Sequence, residues 1–273
     1  MAKMFEENKG KKLIFGLVHL LPLPGTPFYE EGLLQKSLDK ALRDAEALQK
    51  GGASGCLVQS VDRVFGNTDE TDPARVAAIT MIASKVRDLV GPDFKVGVQL
   101  MWNNITPSLA ACKAVGADFT RCTAFIGSTI SKFGPIEGNP LKVMEYRRKI
   151  HAEDIAMISE VSGYHHLGEY NKAALQDLAR SSINCGADAV EVMSRDEKMN
   201  ETLCRDIKET GFREPGDIPI ILGGGTDVEN CQRRLKYADG ALVGRAFEDG
   251  NWGGNIDSST VAKYMEKVHA MEG

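Results

Sequence analysis

The sequence predicts an α/β protein folded as a closed (β/α)8 barrel, and three observations predict it. Strand-like apolar runs alternate with helical spacings eight times along the chain. The turns that lead from helix to strand repeat one another. Finally, residues 218–247 (IPIILGGGTDVENCQRRLKYADGALVGRAF) read as strand, helix and strand, with glycines at the carboxyl end of both strands. Alternation without a break in composition favours a parallel sheet wrapped by helices. The repeated turns are Gly51-Gly52-Ala53-Ser54, Gly116-Ala117-Asp118, Gly186-Ala187-Asp188 and Ala238-Asp239-Gly240, each feeding an apolar run. Glycine just past a helix, followed by a small polar residue, is ordinary αβ-turn chemistry. A length of 273 residues suits one such TIM-barrel domain, with residues 1–12 expected as an N-terminal extension.

Each element has its own local reason. Residues 13–20 (LIFGLVHL) form the first strand, and the prolines Pro22, Pro24 and Pro27 stiffen the loop after it because they cannot continue a ladder. Residues 33–50 place Leu34, Leu38, Ala41, Leu42, Ala45 and Leu48 on one helical face, and Gly51-Gly52 stops the helix. Residues 53–60 are the second strand; Asp72 caps a helix over 73–89 that has Pro73 at its first position. Strands follow at 95–100, 119–125, 155–161 and 189–194, with helices at 106–115, 140–151, 171–185 and 197–210. The segment between the fourth strand and its helix is expected to be a long loop. Residues 218–222 and 241–243 are the seventh and eighth strands, Thr226 and Asp227 are candidate caps for a helix over 228–237, and a helix over 258–270 closes the chain.

Composition narrows the function classes. A net charge of −5 with a pI near 5.6 argues against a nucleic-acid footprint, which needs a clustered basic surface. No apolar run approaches the ~18 residues of a membrane span, and the mixed-charge start MAKMFEENKGKK is not expected to be a signal peptide. The expectation is a cytoplasmic protein. Its six cysteines lie scattered without a C-x-x-C pair, so reduced, buried thiols are expected rather than structural zinc. Barrels of this size often self-associate, which makes a homo-oligomer a partner to test, although no apolar stripe demands one.

In a barrel of this kind ligands bind where the strands end at their carboxyl face, and the loops after the seventh and eighth strands frequently hold a phosphate. Gly223, Gly224, Gly225, Gly244 and Arg245 occupy those loops. Without side chains, glycines let an anion approach backbone N–H groups closely. Tight turns alone are the competing account of these glycines. Polar residues crowd the other strand ends: His19, Gln59, Gln99, Asn104, Arg121, Thr123, Glu160 and Glu191. Residues two apart on a strand share a face, so Arg121 and Thr123 point the same way. A guanidinium inside a barrel must be paired, and Glu160 and Glu191 are its natural partners.

Glu160 with His165 suits either general acid/base work or a divalent metal, and the spacing does not decide between them. Arg121 would orient Glu160 or neutralise developing charge. A purely structural ion pair is the competing account of the cluster. His19 either touches ligand or packs on the prolines. No nucleophile elbow, Walker loop or dinucleotide fingerprint is present, and no strand-end lysine offers a Schiff base. What remains is acid/base or metal-assisted chemistry on a phosphorylated small molecule, with Gln59, Gln99, Asn104, Thr123, Glu191 and His19 as substrate contacts.

The stretches FGLVHLLPLPGTPFY, ALRDAEALQKGGASG, VGADFTR, GPIEG, GGGTDVEN and ADGALVGRAF resemble the BtpA/SgcQ family from about Leu13 to the C-terminal helix. HLLPLPG is the most specific of these. The resemblance implies a phosphate-binding TIM barrel. It also implies sugar metabolism, as in bacterial relatives, or the photosystem I biogenesis role from which the family takes its name. Residues and resemblance together leave two expectations: an isomerase, lyase or hydrolase acting on a phosphorylated sugar or related small metabolite, or a noncatalytic assembly factor working through protein partners. The chain departs from the family pattern at Gln59-Ser60, Gln99 and Trp102. The usual Asp-x-His-x-Lys-His becomes Glu160-Val161-Ser162-Gly163-Tyr164-His165, which keeps the carboxylate and final histidine. These changes fall where substrate is expected to bind, so the substrate is expected to differ from that of other members or catalysis to be absent.

Overall fold

The computed structural model describes residues 3–163, 166, 168–248, 250–251 and 253–272. Eight parallel strands close the barrel in the order β1-β2-β3-β4-β7-β8-β9-β10 and back to β1. They are β1 Leu13–His19, β2 Gly55–Gln59, β3 Lys95–Gln99, β4 Phe119–Cys122, β7 Ala156–Ser162, β8 Ala189–Val192, β9 Ile220–Leu222 and β10 Gly240–Val243. The predicted seventh and eighth strands are therefore β9 and β10. Between β4 and β7 the expected long loop instead contains an antiparallel hairpin, β5 Ser128–Ser131 and β6 Gly134–Glu137.

The helices α2 Leu33–Lys50, α3 Pro73–Val90, α4 Ile105–Val115, α5 Pro140–Lys149, α6 Lys172–Asn184, α7 Glu197–Thr210 and α9 Ser258–His269 lie close to their predicted bounds. Asp72 caps α3 as expected, accepting from the Ala74 N–H with Pro73 in the first turn. The helix predicted over 228–237 is shorter. It is α8 Cys231–Arg234, followed by a 3₁₀ turn Leu235–Tyr237. Neither candidate cap serves it: the Thr226 hydroxyl accepts from Tyr264, and Asp227 Oδ1 accepts from the N–H groups of Glu229 and Asn230 in a turn of its own.

Strand alternation separates two cores. Side chains facing outward, such as Ile14, Val18, Val58, Val96 and Val98, pack with the helices in one large cluster. Phe15, Leu17, Leu57, Phe119, Ile158, Ile221 and Leu242 face inward and fill the barrel. Phe15 and Phe119 meet there with ring centroids 4.5 Å apart. Gly97 admits the Phe119 ring, since a Cβ at that position would stand 2.6 Å from it. Ahead of β1, α1 Lys3–Glu7 sends Met4 and Phe5 into the inner core beside Leu13. The six cysteines are free thiols, as expected, and all but Cys185 are buried; burial pushes Cys56 and Cys112 up to about 12.

Candidate active site at the carboxyl end of the barrel

Above the inward apolar layer, the same alternation produces a polar one. His19, Gln59 and Gln99 stand level in register across β1, β2 and β3, and Glu160 stands level with Glu191 across β7 and β8. Arg121 projects from β4, and Thr123 lies two residues further on. Most of the predicted substrate and catalytic residues thus share one layer at the strand ends.

Arg121 is 2% exposed and Glu191 is fully buried. Arg121 Nε donates to Glu191 Oε2 at 2.6 Å and Nη2 to Oε1 at 2.5 Å, a two-pronged pair. Glu160 receives the weaker share, a single contact from Arg121 Nη2 at 3.3 Å. The sequence named both partners but not this order. Burial pushes the Glu191 carboxyl up to about 7; Arg121 opposes the shift and the nearby Glu160 charge adds to it. Two glycines make the arrangement fit: a Cβ on Gly223 would stand 2.0 Å from Glu191 Oε1, and one on Gly163 would stand 2.3 Å from Glu160 Oε1.

His165 lies outside the described residues. Its neighbour His166 donates from Nε2 to the Thr123 carbonyl at 3.0 Å and sits 4.0 Å from Glu160 Oε1. On the other side of the layer, Gln59 Nε2 donates to Gln99 Oε1 at 2.5 Å, Gln99 Nε2 reaches Thr123 Oγ1 at 3.4 Å, and Thr123 donates to the Trp102 carbonyl. Trp102 itself is buried between Phe65 and Phe133 as packing. Asn104 stands apart from the layer. Its Oδ1 accepts from Arg75, and its amide donates to the carbonyls of Thr68 and Glu70, so it ties loops together.

Gly223, Gly224, Gly225, Gly244 and Arg245 do come together, with His19, Arg195 and Thr226, around a cavity of about 700 Å³. The expected division of labour changes in two ways. The Gly223 N–H is spent on the Val192 carbonyl, so its bare α-carbon serves Glu191. The helix start lies six residues beyond Gly225, and α8 is only four residues long, so no helix N-terminus stands beside the glycines. Gly224 and Gly225 adopt φ of 135° and 77°, conformations that glycine tolerates. Their N–H groups have no backbone acceptor among the described residues. Behind Gly225, Arg234 is 8% exposed and donates to the carbonyls of Ser194 and Arg195. No carboxylate pairs with it within 4 Å among the described residues, and neither it nor Arg195 was singled out by sequence.

The sequence reading also passed over Glu248. This residue is 1% exposed, and its Oε1 accepts from His19 Nδ1 at 2.8 Å. The one signal for it was an acidic residue shortly after a strand-ending Gly-Arg. Another cavity, of about 760 Å³, lies at the opposite end of the barrel beside Glu6, Arg147, Asp188 and Asp217, the face that serves stability in such folds. Among the described residues, no three His, Cys, Asp or Glu side chains are grouped so as to hold a metal ion. No helix among them is long and apolar enough to cross a membrane.

Fold and site together define a closed (β/α)8 barrel with a buried arginine–carboxylate cluster beside a glycine-rich cavity. The chain belongs to the BtpA family, whose sequence profile matches residues 10–270. It is 31% identical over 256 residues to an uncharacterised protein of Archaeoglobus fulgidus, covering 93% of this chain and 98% of that one. It is 28% identical over 269 residues to the photosystem I biogenesis protein BtpA of Synechocystis, covering 97% and 91%. Among solved structures it is similar to thiamine phosphate pyrophosphorylase from Pyrococcus furiosus, with a TM-score of 0.57 at 16% identity over 97% of this chain and 100% of that one. It is also similar to N-(5'-phosphoribosyl)anthranilate isomerase from the same organism, with a TM-score of 0.56 at 14% identity over 94% and 99%. At such identities these two structures speak for the fold alone.

Proposed function

We propose that this protein is an enzyme acting on a phosphorylated sugar or related small metabolite by acid/base chemistry. One observation carries the reading: two buried carboxylates share one guanidinium, one of them, Glu191, lies directly behind Gly223 of the cavity wall, and Glu191 is pushed up to about 7. A carboxyl that holds its proton near neutral pH can both give and take one, which is what proton transfer in an isomerase, lyase or hydrolase requires. Glu160, with His165, is the acid/base group next to substrate. Arg121 orients both carboxylates, and Glu191 contacts substrate or relays the proton. The Gly224 and Gly225 amides, Gly244 and Arg245 hold the phosphate, with Gly223 clearing space for Glu191. Two barrels of the same fold carry names with thiamine phosphate and phosphoribosyl anthranilate, a fold-level analogy that guides the choice of compounds to screen.

A thermal-shift screen against sugar phosphates, nucleoside phosphates and inorganic phosphate, with and without a divalent cation, tests this reading. A ligand at 100 times its Kd stabilises the fold by about 2.7 kcal/mol. A selective shift is expected, followed by turnover that Glu160→Gln abolishes while phosphate binding persists; unchanged turnover in that variant overturns the assignment. The name of the Synechocystis relative favours a second reading, a noncatalytic factor acting through protein partners. It predicts a partner whose co-purification survives Glu160→Gln and no shift from any phosphorylated compound.

A further inference from the structure

The imidazole of His19 reaches the cavity from β1, while the carboxylate that holds it comes from the far end of the chain. His19 is 5% exposed and Glu248 1%. With Nδ1 on Glu248 Oε1 at 2.8 Å, the ring's rotation is set. Glu248 is itself held, because its Oε2 accepts from the Gly253 N–H at 3.1 Å. The opposite edge of the ring faces Gly244. A Cβ there would stand 3.0 Å from His19 Cε1 and 3.7 Å from Nε2, so glycine at this strand end leaves the space the imidazole occupies. His19, Arg195, Gly224, Gly225, Gly244 and Arg245 line the same cavity. Arg234 adds a fixed positive charge behind Gly225, with no carboxylate pairing it within 4 Å among the described residues.

We propose that His19 is a direct ligand of the phosphate end of the bound molecule, through Nε2, and that Glu248 is the positioning residue that aims it. The inference rests on the phosphorylated-metabolite reading above and assigns His19 to one end of that ligand. A phosphate monoester is the chemistry that fits. Glycine amides and arginines supply donors; with Nδ1 engaged by Glu248, Nε2 meets a phosphate oxygen as N–H donor or as acceptor from a protonated phosphate oxygen, and one proton between the two atoms makes the bond either way. A carboxylate partner that fixes an imidazole typically matters 10- to 100-fold to what that imidazole binds, by the scale for ligating histidines.

The test is an inorganic phosphate titration of the full-length 15N-labelled protein, following the histidine ring nitrogens and the backbone amides by NMR. His19 Nε2 is expected to move in step with the Gly224 and Gly225 amides and saturate at the same Kd. Glu248→Gln, which keeps the shape, is expected to alter the His19 tautomer pattern and weaken the phosphate Kd by about tenfold. If the glycine amides respond and Nε2 does not, His19 is no phosphate ligand, and this inference falls while the phosphate cup stands. If Glu248→Gln lowers Tm but leaves both the Nε2 response and the Kd unchanged, Glu248 is structural and the positioning role falls. If neither amides nor imidazole respond, the phosphate reading falls with it.

Discussion

Replacing Glu191 with glutamine probes the buried cluster most directly, because its effect on stability should depend on pH in a defined way. In the native state, burial raises Glu191 from an ordinary glutamate value near 4.5 to about 7. Between those values the folded protein keeps a proton that the unfolded chain has released. The contribution is therefore complete below the unfolded value, and it is lost as pH rises through the folded one. The full loss is about 3 kcal/mol, most of it between pH 5 and pH 8. Glu191→Gln has nothing to titrate. It also places an amide N–H against the Arg121 donors, which costs about 1–3 kcal/mol at every pH. The wild type should accordingly lead the variant most at pH 5, with the gap closing by pH 8. Urea denaturation at constant m reads the gap directly. Parallel stability curves for the two proteins across that range would refute the argument that Glu191 carries a proton near neutrality.

Two further outcomes follow from packing. Gly223→Ala should destabilise the barrel by about 1–3 kcal/mol, the usual cost of overpacking, because its Cβ would stand 2.0 Å from Glu191 Oε1; unaltered thermal stability would show that Gly223 is not set by that carboxylate. Phe5→Ala should cost about 3 kcal/mol in chemical denaturation, since the ring is 7% exposed within the inner core; a cost below about 0.5 kcal/mol, the surface range, would mean that α1 does not plug the barrel.

The strand period of two made the upper layer readable. Once strands were placed, Arg121 and Thr123 had to share a face, and an inward arginine had to find acids. Register was beyond reach, so nothing ranked Glu191 above Glu160 as the two-pronged partner. Asn104 looked like any polar residue near a strand end, yet its amide is consumed by Arg75 and two carbonyls. Thr226 and Asp227 carried the composition of helix caps, but a hydroxyl cannot reveal that a tyrosine 38 residues away will take it. The hairpin at β5 and β6 escaped because a short solvent-facing pair, interrupted by Gly134-Pro135, lacks the apolar alternation that marks a buried strand. Glu248 was hidden for a related reason: its meaning depends on β10 closing against β1, 229 residues earlier in the chain.

The three glycines after β9 show how far residue type can mislead about purpose while still marking the right place. All three line the cavity, as a phosphate loop would. Their physical reasons differ. Gly223 continues the ladder with its N–H and yields its side-chain space to Glu191, whereas Gly224 and Gly225 turn the backbone into conformations that other residues avoid. On the proposed function, the glycine run is the seam between the acid/base cluster and the anion cup. A ligand anchored by the Gly224 and Gly225 amides would have its next atoms beside the carboxylate that Gly223 admits. Chemistry in such a site would fall within a few bonds of the phosphate, which makes short-chain phosphate esters the first compounds to screen and long nucleotide tails poor candidates for the reacting end.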